Sequence, residues 1–120
     1  MKLKTLGDFI VHHRQEKKMI GLELAKALEV TASHVSDLEK NRRYATDDTL
    51  NKLCKIFKLS EADASQMYDL AAKAKNSVSA DLPKYIMKKD IVRVALRTAQ
   101  KHKISDEKWE EFIKNIEKDN

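Results

Sequence analysis

Residues 30–43 read "VTASHVSDLEKNRR", and the fold turns on how this stretch is arranged. In a helix, Val35 and Leu38 share one side, while Ser33, Ser36, Asp37 and Lys40 stand at i, i+3, i+4 and i+7 on the other. Ala32, at the helix start, projects outward as well. Thr31 is a good N-cap, and Asn41 is among the few residues besides glycine that tolerate a left-handed helix end. A helix over 31–40 therefore buries two aliphatic residues and leaves a face of small side chains uncovered. Small side chains let a backbone come close to a surface, as insertion into a DNA major groove about 12 Å wide demands. Lys40, Arg42 and Arg43 would then lie beside the groove, where phosphates run. An ordinary solvated face has the same stripe, so the neighbouring segments must separate the two readings.

Immediately before it, Gly21 opens a short helix with Leu24, Ala25 and Leu28 on its buried side, and Glu29–Val30 form a tight turn. Two short helices joined this way are a recognised means of presenting the second to DNA. Leu6, Phe9, Ile10 and His13 predict a first helix over Leu6 to Lys17. Thr46 caps a fourth helix carrying Leu50, Leu53, Cys54 and Phe57. Ser60 with Asp63 is a variant capping box for a fifth, with Ala64, Met67, Tyr68 and Ala71 apolar. The small, polar residues 74–81, "AKNSVSAD", mark a boundary between residues 1–75 and 76–120. Beyond a short turn around Leu82, Tyr85 and Ile86 come two helices. One spans Asp90 to His102, and the other is capped by Ser105 and carries Trp109, Phe112, Ile113 and Ile116. No strand pattern or internal repeat occurs, so the chain reads as all-α.

Bulk properties agree. Of 120 residues, 36% are charged and 42% apolar, with two glycines and one proline, a balance that favours helices. No apolar run approaches the roughly 20 residues that span a bilayer, and the first residues hold no secretory signal; a cytoplasmic protein is expected, with no membrane partner. Cys54 is the single cysteine, which excludes an internal disulfide and a cysteine-based zinc site. The net charge is +5. Residues 1–58 carry twelve Lys/Arg against eight Asp/Glu, residues 59–78 sum to −1 and residues 79–120 to +2, so the excess reads as N-terminal and suits a polyanionic partner.

Taken together, Arg14, "LELAKAL", "SHVSDLEKNRR" and "TLNKLCKIF" resemble the xenobiotic-response-element group of helix-turn-helix regulators, related to the phage Cro and repressor proteins. The resemblance covers residues 5 to about 70 and implies a five-helix, lambda-repressor-like DNA-binding domain followed by a C-terminal helical hairpin. It makes the helix at 31–40 the recognition helix. Ala32, Ser33 and Asp37 match base-reading positions, with Ser36 nearby; Thr31, His34, Lys40, Arg42 and Arg43 match positions that meet the DNA backbone. Arg14 and Glu39 match a structural ion pair. Departures are Gly21, where a phosphate-touching Gln or capping residue is common, Glu29 in place of a turn glycine, Ala45 in place of a proline, and an unusual Asp37 facing the groove.

The tail, "DIVRVALRTAQKHKISDEKWEEFIKNIEK" from residue 90, has apolar stripes on both arms. Two such short helices cannot bury both stripes in each other. Ile91, Val94, Ala95, Trp109, Phe112, Ile113 and Ile116 either dimerise the protein or pack on the same chain. The "ISDEKWEEFI" pattern loosely resembles the multimerisation segment of Sin-type repressors, which implies a homodimer. The function expected is a repressor of double-stranded DNA acting at a palindromic operator. Two other classes are an antitoxin whose tail neutralises a toxin, or answers to a protein antagonist, and an interaction module without DNA binding. No catalytic constellation, metal-ligand spacing or cofactor motif is present, so no enzyme, metal or cofactor is expected. His12 and His13 point in different directions on their helix, with His13 at the core edge. Cys54 reads as a small core residue, and Tyr44 covers the loop or touches DNA.

Overall fold

A computed structural model describes residues 3–119. Among them are eight helices and no strand: α1 Leu6–Glu16, α2 Gly21–Leu28, α3 Ala32–Glu39, α4 Asp47–Phe57, α5 Glu61–Lys75, α6 Pro83–Lys88, α7 Asp90–Lys101 and α8 Asp106–Lys118. The fold is thus all-α, with a lambda-repressor-like arrangement of α1–α5. The chain forms two compact units that divide after Pro83.

The first unit is built on an aliphatic core. Phe9, Ile10, Leu24, Leu53 and Met67 are completely buried, and Ala25, Leu28, Val35, Leu38 and Leu50 nearly so. Side-chain caps at Thr31, Thr46 and Ser60 accept from the backbone N–H three residues on, at 3.0–3.1 Å. Ser60 supplies only its own half of the expected capping box; among the described residues no bond returns from the Asp63 carboxylate. The complete box is at Thr5, whose hydroxyl accepts from Asp8 N–H while the Asp8 carboxylate accepts from Thr5 N–H. Nothing in the sequence reading had assigned that role to Thr5.

Six non-glycine residues lie in the left-handed region at helix ends: Lys18, Glu29, Asn41, Lys58, Asn76 and Lys103. Neither glycine does this work. Gly7 is instead required by proximity, since a Cβ there would stand 2.3 Å from the Glu39 carbonyl oxygen and 2.8–2.9 Å from the Asn41 amide. Gly7 N–H donates to Asn41 Oδ1 at 2.9 Å, and Asn41 Nδ2 donates to Thr5 Oγ1 at 3.1 Å. Asn41 also sits at the centre of a double closure of α3, with its own N–H on Leu38 O and Arg42 N–H on Asp37 O. One side chain therefore joins the start of α1 to the end of α3.

Residues 76–83 belong to the first compact unit. Asn76 closes α5, Ser77 N–H returns to Ala72 O at 2.9 Å, and the buried Ser79 hydroxyl donates to Asp69 on α5. Residues 76–83 thus fold back on the first unit. The turn expected around Leu82, Tyr85 and Ile86 is the short helix α6, begun by Pro83 in a position that suits its fixed φ.

In the second unit, Arg93 donates to the carbonyls of Ile86 and Met87 at 3.0 Å and pairs with Asp90, tying the end of α6 to α7. The α7–α8 turn closes at Lys103, and Ser105 caps α8. Trp109 and Phe112 meet edge to face with centroids 5.8 Å apart. No side chain of α6, α7 or α8 is buried.

His13 lies against Phe9 and Phe57, with ring centroids 4.3 and 5.7 Å away. Burial first, then the neighbouring His12, hold its imidazole below the ordinary value of 6.5. The unfolded chain therefore binds this proton at higher pH than the folded one, so stability is lost as pH falls below 6.5 toward the folded value. Melting curves between neutral and mildly acidic pH should show that loss, and the non-titrating His13→Gln should show a flatter profile. Gly7→Ala should lower stability by about 2–3 kcal/mol, because backbone rather than a flexible side chain must give way; urea unfolding measures it.

Candidate nucleic-acid interface

α2 and α3 are joined by residues 29–31. Glu29 adopts φ 62, ψ 40, accepting the cost of a left-handed non-glycine residue, and Val30 N–H returns to Ala25 O at 3.0 Å. The turn sets α3 so that Val35 and Leu38 face the core at 1% exposure. Ala32, Ser33 and Lys40 are then exposed, and His34, Ser36 and Asp37 half-buried. Gly21, Leu22, Ala32, Ser36 and Lys40 line one shallow groove between α2 and α3. Thr31 is spent in part on its cap, yet its hydroxyl hydrogen is still available to an acceptor.

Arg42, Arg43 and Tyr44 are exposed on the loop after α3. The Arg43 guanidinium lies 3.9 Å from the Asp37 carboxylate, which offsets the acidic charge on the outward face of α3. Tyr44 is exposed, and the Lys75 ammonium, which donates to Ala45 O, stands 5.9 Å from its ring centroid. At Gly21 a Cβ would meet nothing within 4 Å. The fold does not demand glycine there, and the first turn of α2 is left uncovered. The Glu23 carboxylate accepts from Ile20 N–H at 3.0 Å at that same end.

Arg14 and Glu39 hold α1 to the end of α3. Nε–Oε2 is 2.7 Å, Nη2–Oε1 is 3.3 Å, and Nη1 donates to Met19 O at 2.9 Å. Both side chains are mostly covered, at 17% and 15% exposure, so the two-pronged pair is a scaffold contact. Ile20 and Leu22, exposed at the start of α2, were missed by the sequence reading. Their signal was available, since they fall outside the stripe of Leu24, Ala25 and Leu28. In the second unit Ile91, Val94, Ala95, Trp109 and Phe112 line one groove, whereas Ile113 and Ile116 lie on α8 outside that lining.

Two packed helices with a fixed turn, an open second helix and adjoining cations define a DNA-binding module of the helix-turn-helix class. Residues 13–63 match the helix-turn-helix family, and this part of the chain is a helix-turn-helix domain of the Cro- and repressor-like, xenobiotic-response-element type, a family of DNA-binding transcription regulators. No curated protein and no solved structure matches the chain. Among the described residues no helix is long and apolar enough to cross a membrane.

Removing either member of the Arg14–Glu39 pair strands a covered charge. Arg14→Ala and Glu39→Ala should each cost about 2–4 kcal/mol, and a double-mutant cycle should return a coupling of about 1–3 kcal/mol. Strict additivity would reduce the pair to an ordinary surface contact.

Proposed function

We propose that the protein is a transcriptional repressor that binds a palindromic operator as a homodimer, placing the helix at 31–40 in the major groove of each half-site. The observation that carries this reading is the outward face of α3, whose small side chains are open while Lys40, Arg42 and Arg43 flank it. Ala32, Ser33, Ser36 and Asp37 form the base-reading set. The serine hydroxyls exchange hydrogen bonds with base edges, Ala32 meets a thymine methyl, and Asp37 accepts from a cytosine amino group. Gly21 through its backbone N–H, Thr31, His34, Lys40, Arg42 and Arg43 hold phosphates and so fix register.

One such helix reads only a few base pairs, and a dimer presents two at about 34 Å. The second unit suits that task. A segment with no buried side chain in α6–α8 and with Ile91, Val94, Phe112 and Ile113 more than half exposed requires a partner surface, and a second copy is the commonest one. Ala95, Trp109 and Ile116 complete the dimer surface. The protein acts in the cytoplasm by binding alone, with neither catalysis nor a cofactor.

Selection of bound fragments from the source genome by the full chain should enrich a two-fold-symmetric site. Arg42→Ala should weaken binding to all sequences alike and flatten the log–log salt slope by about 0.9. Asp37→Ala should change which bases are preferred; unchanged preference removes it from the reading set. Val94→Asp with Phe112→Asp should sediment as a monomer and lose the symmetric site. Co-purification of the wild type with a small second protein, in place of self-association, would move the tail to an antitoxin role.

A further inference from the structure

Dividing the chain by its structural elements reverses the charge picture that halves of the sequence give. The first unit, residues 1–83, holds fourteen Lys/Arg against twelve Asp/Glu, a net of +2. Residues 84–103, covering most of α6, α7 and the turn after it, hold seven Lys/Arg against Asp90 alone, a net of +6. Residues 104–120 then hold six acids against three lysines. The acidic α8 cancels the basic α7 in any window that spans both. The positive excess of the protein lies on α6 and α7.

The cations are also aligned. Arg93, Arg97 and Lys101 recur every four residues along α7, rising about 6 Å per step, and Lys89 stands at its N-cap. The groove formed by Ile91, Ala95, Thr98 and Trp109 opens away from Arg93 and Arg97. Among the described residues, Arg93 alone of these cations has an acidic partner, Asp90. Lys89 stands 5.6 Å from the Tyr85 ring centroid. Lys84, Lys88, Arg97 and Lys101 are exposed and have no carboxylate within ion-pair distance among the described residues. Like charges at i and i+4 oppose helix formation, and Lys84/Lys88, Arg93/Arg97 and Arg97/Lys101 all do so. Among the described residues of the second unit, the pair with Asp90 is the one ion pair set against that repulsion.

We propose that the basic side of α6 and α7 is a second, sequence-independent contact with duplex DNA, gripping phosphates through Lys84, Lys88, Arg97 and Lys101 while α3 reads bases. The inference rests on the DNA-binding reading of the first unit. Duplex DNA is the polyanion favoured because that unit is nearly neutral and places Glu23 and Asp37 near its own groove. It therefore brings little charge against a ligand carrying one negative charge per about 1.7 Å of axis. The side of α7 centred on Ile91, Ala95 and Thr98 stays open for self-association, with Arg93 and Arg97 turned away from it and Lys101 at its rim beside Val94.

The experiment is a salt series of binding by the full-length protein to a labelled duplex of mixed sequence. The wild type is compared with Lys84→Gln/Lys88→Gln/Arg97→Gln/Lys101→Gln, with the charge-preserving Lys84→Arg/Lys88→Arg/Arg97→Lys/Lys101→Arg, and with Lys55→Gln/Lys73→Gln as a control. The neutralised variant should bind at least about tenfold more weakly, with a log–log slope reduced by about 2–3. The charge-preserving variant and the control should match the wild type. A neutralised variant that keeps the wild-type slope overturns the inference. So does one that loses self-association yet keeps the slope at matched dimer concentration, since the cations would then serve the acidic α8 of a second copy. Wild-type protein without any salt-dependent duplex binding would instead overturn the DNA-binding reading itself.

Discussion

The structure depends on how closely α1 approaches the end of α3. At Gly7 the two backbones come so near that only a hydrogen fits in the place of a side chain. Asn41 bridges that gap with both ends of its amide, and two helical turns further along α1 Arg14 forks onto Glu39. These contacts are made by residues 25 to 36 positions apart. They hold the far end of α3, while the turn at Glu29 holds its near end. A helix of eight residues has little intrinsic stability, so the orientation of α3 is borrowed from α1.

That arrangement separates scaffold from surface on a single short helix. Val35, Leu38 and Glu39 are committed to the core and to α1, which leaves Ala32, Ser33, Ser36, Asp37 and Lys40 to the outside. Substitution on the outward side therefore alters what the domain touches without moving the helix. The Arg43 guanidinium beside Asp37 belongs to this outer set. It offsets the acidic charge of Asp37 on that face, and its own charge is partly used in doing so.

Most of the fold was legible because it follows from short-range pattern. Apolar spacing located the helices of the first unit, and Thr31, Thr46, Ser60 and Ser105 marked starts that their hydroxyls do cap. Arg14 and Glu39 were paired through the family resemblance, and Asn41 was read as a helix end. Its second role was not legible, because it depends on Thr5 and Gly7 being brought beside it from more than thirty positions away. The bond from Ser79 to Asp69 is likewise not legible, since Ser79 looks like any loop serine until Asp69 is seen opposite it. The charge of α7 is hidden for a different reason: a sum over residues 79–120 averages it with the acidic α8. The pairing of Asp37 with Arg43 depends on the loop path after Asn41, which local pattern does not specify.

The lack of any buried side chain in α6–α8 has a consequence for how the protein behaves as its amount changes. Helices of this length have no cooperative unit of their own, so their folded population follows mass action with whatever covers them. Uncovered, the tail is more open to proteolysis than the first unit with its closed core. Under the dimer reading proposed above, turnover falls as the protein accumulates, so its lifetime would report its own concentration.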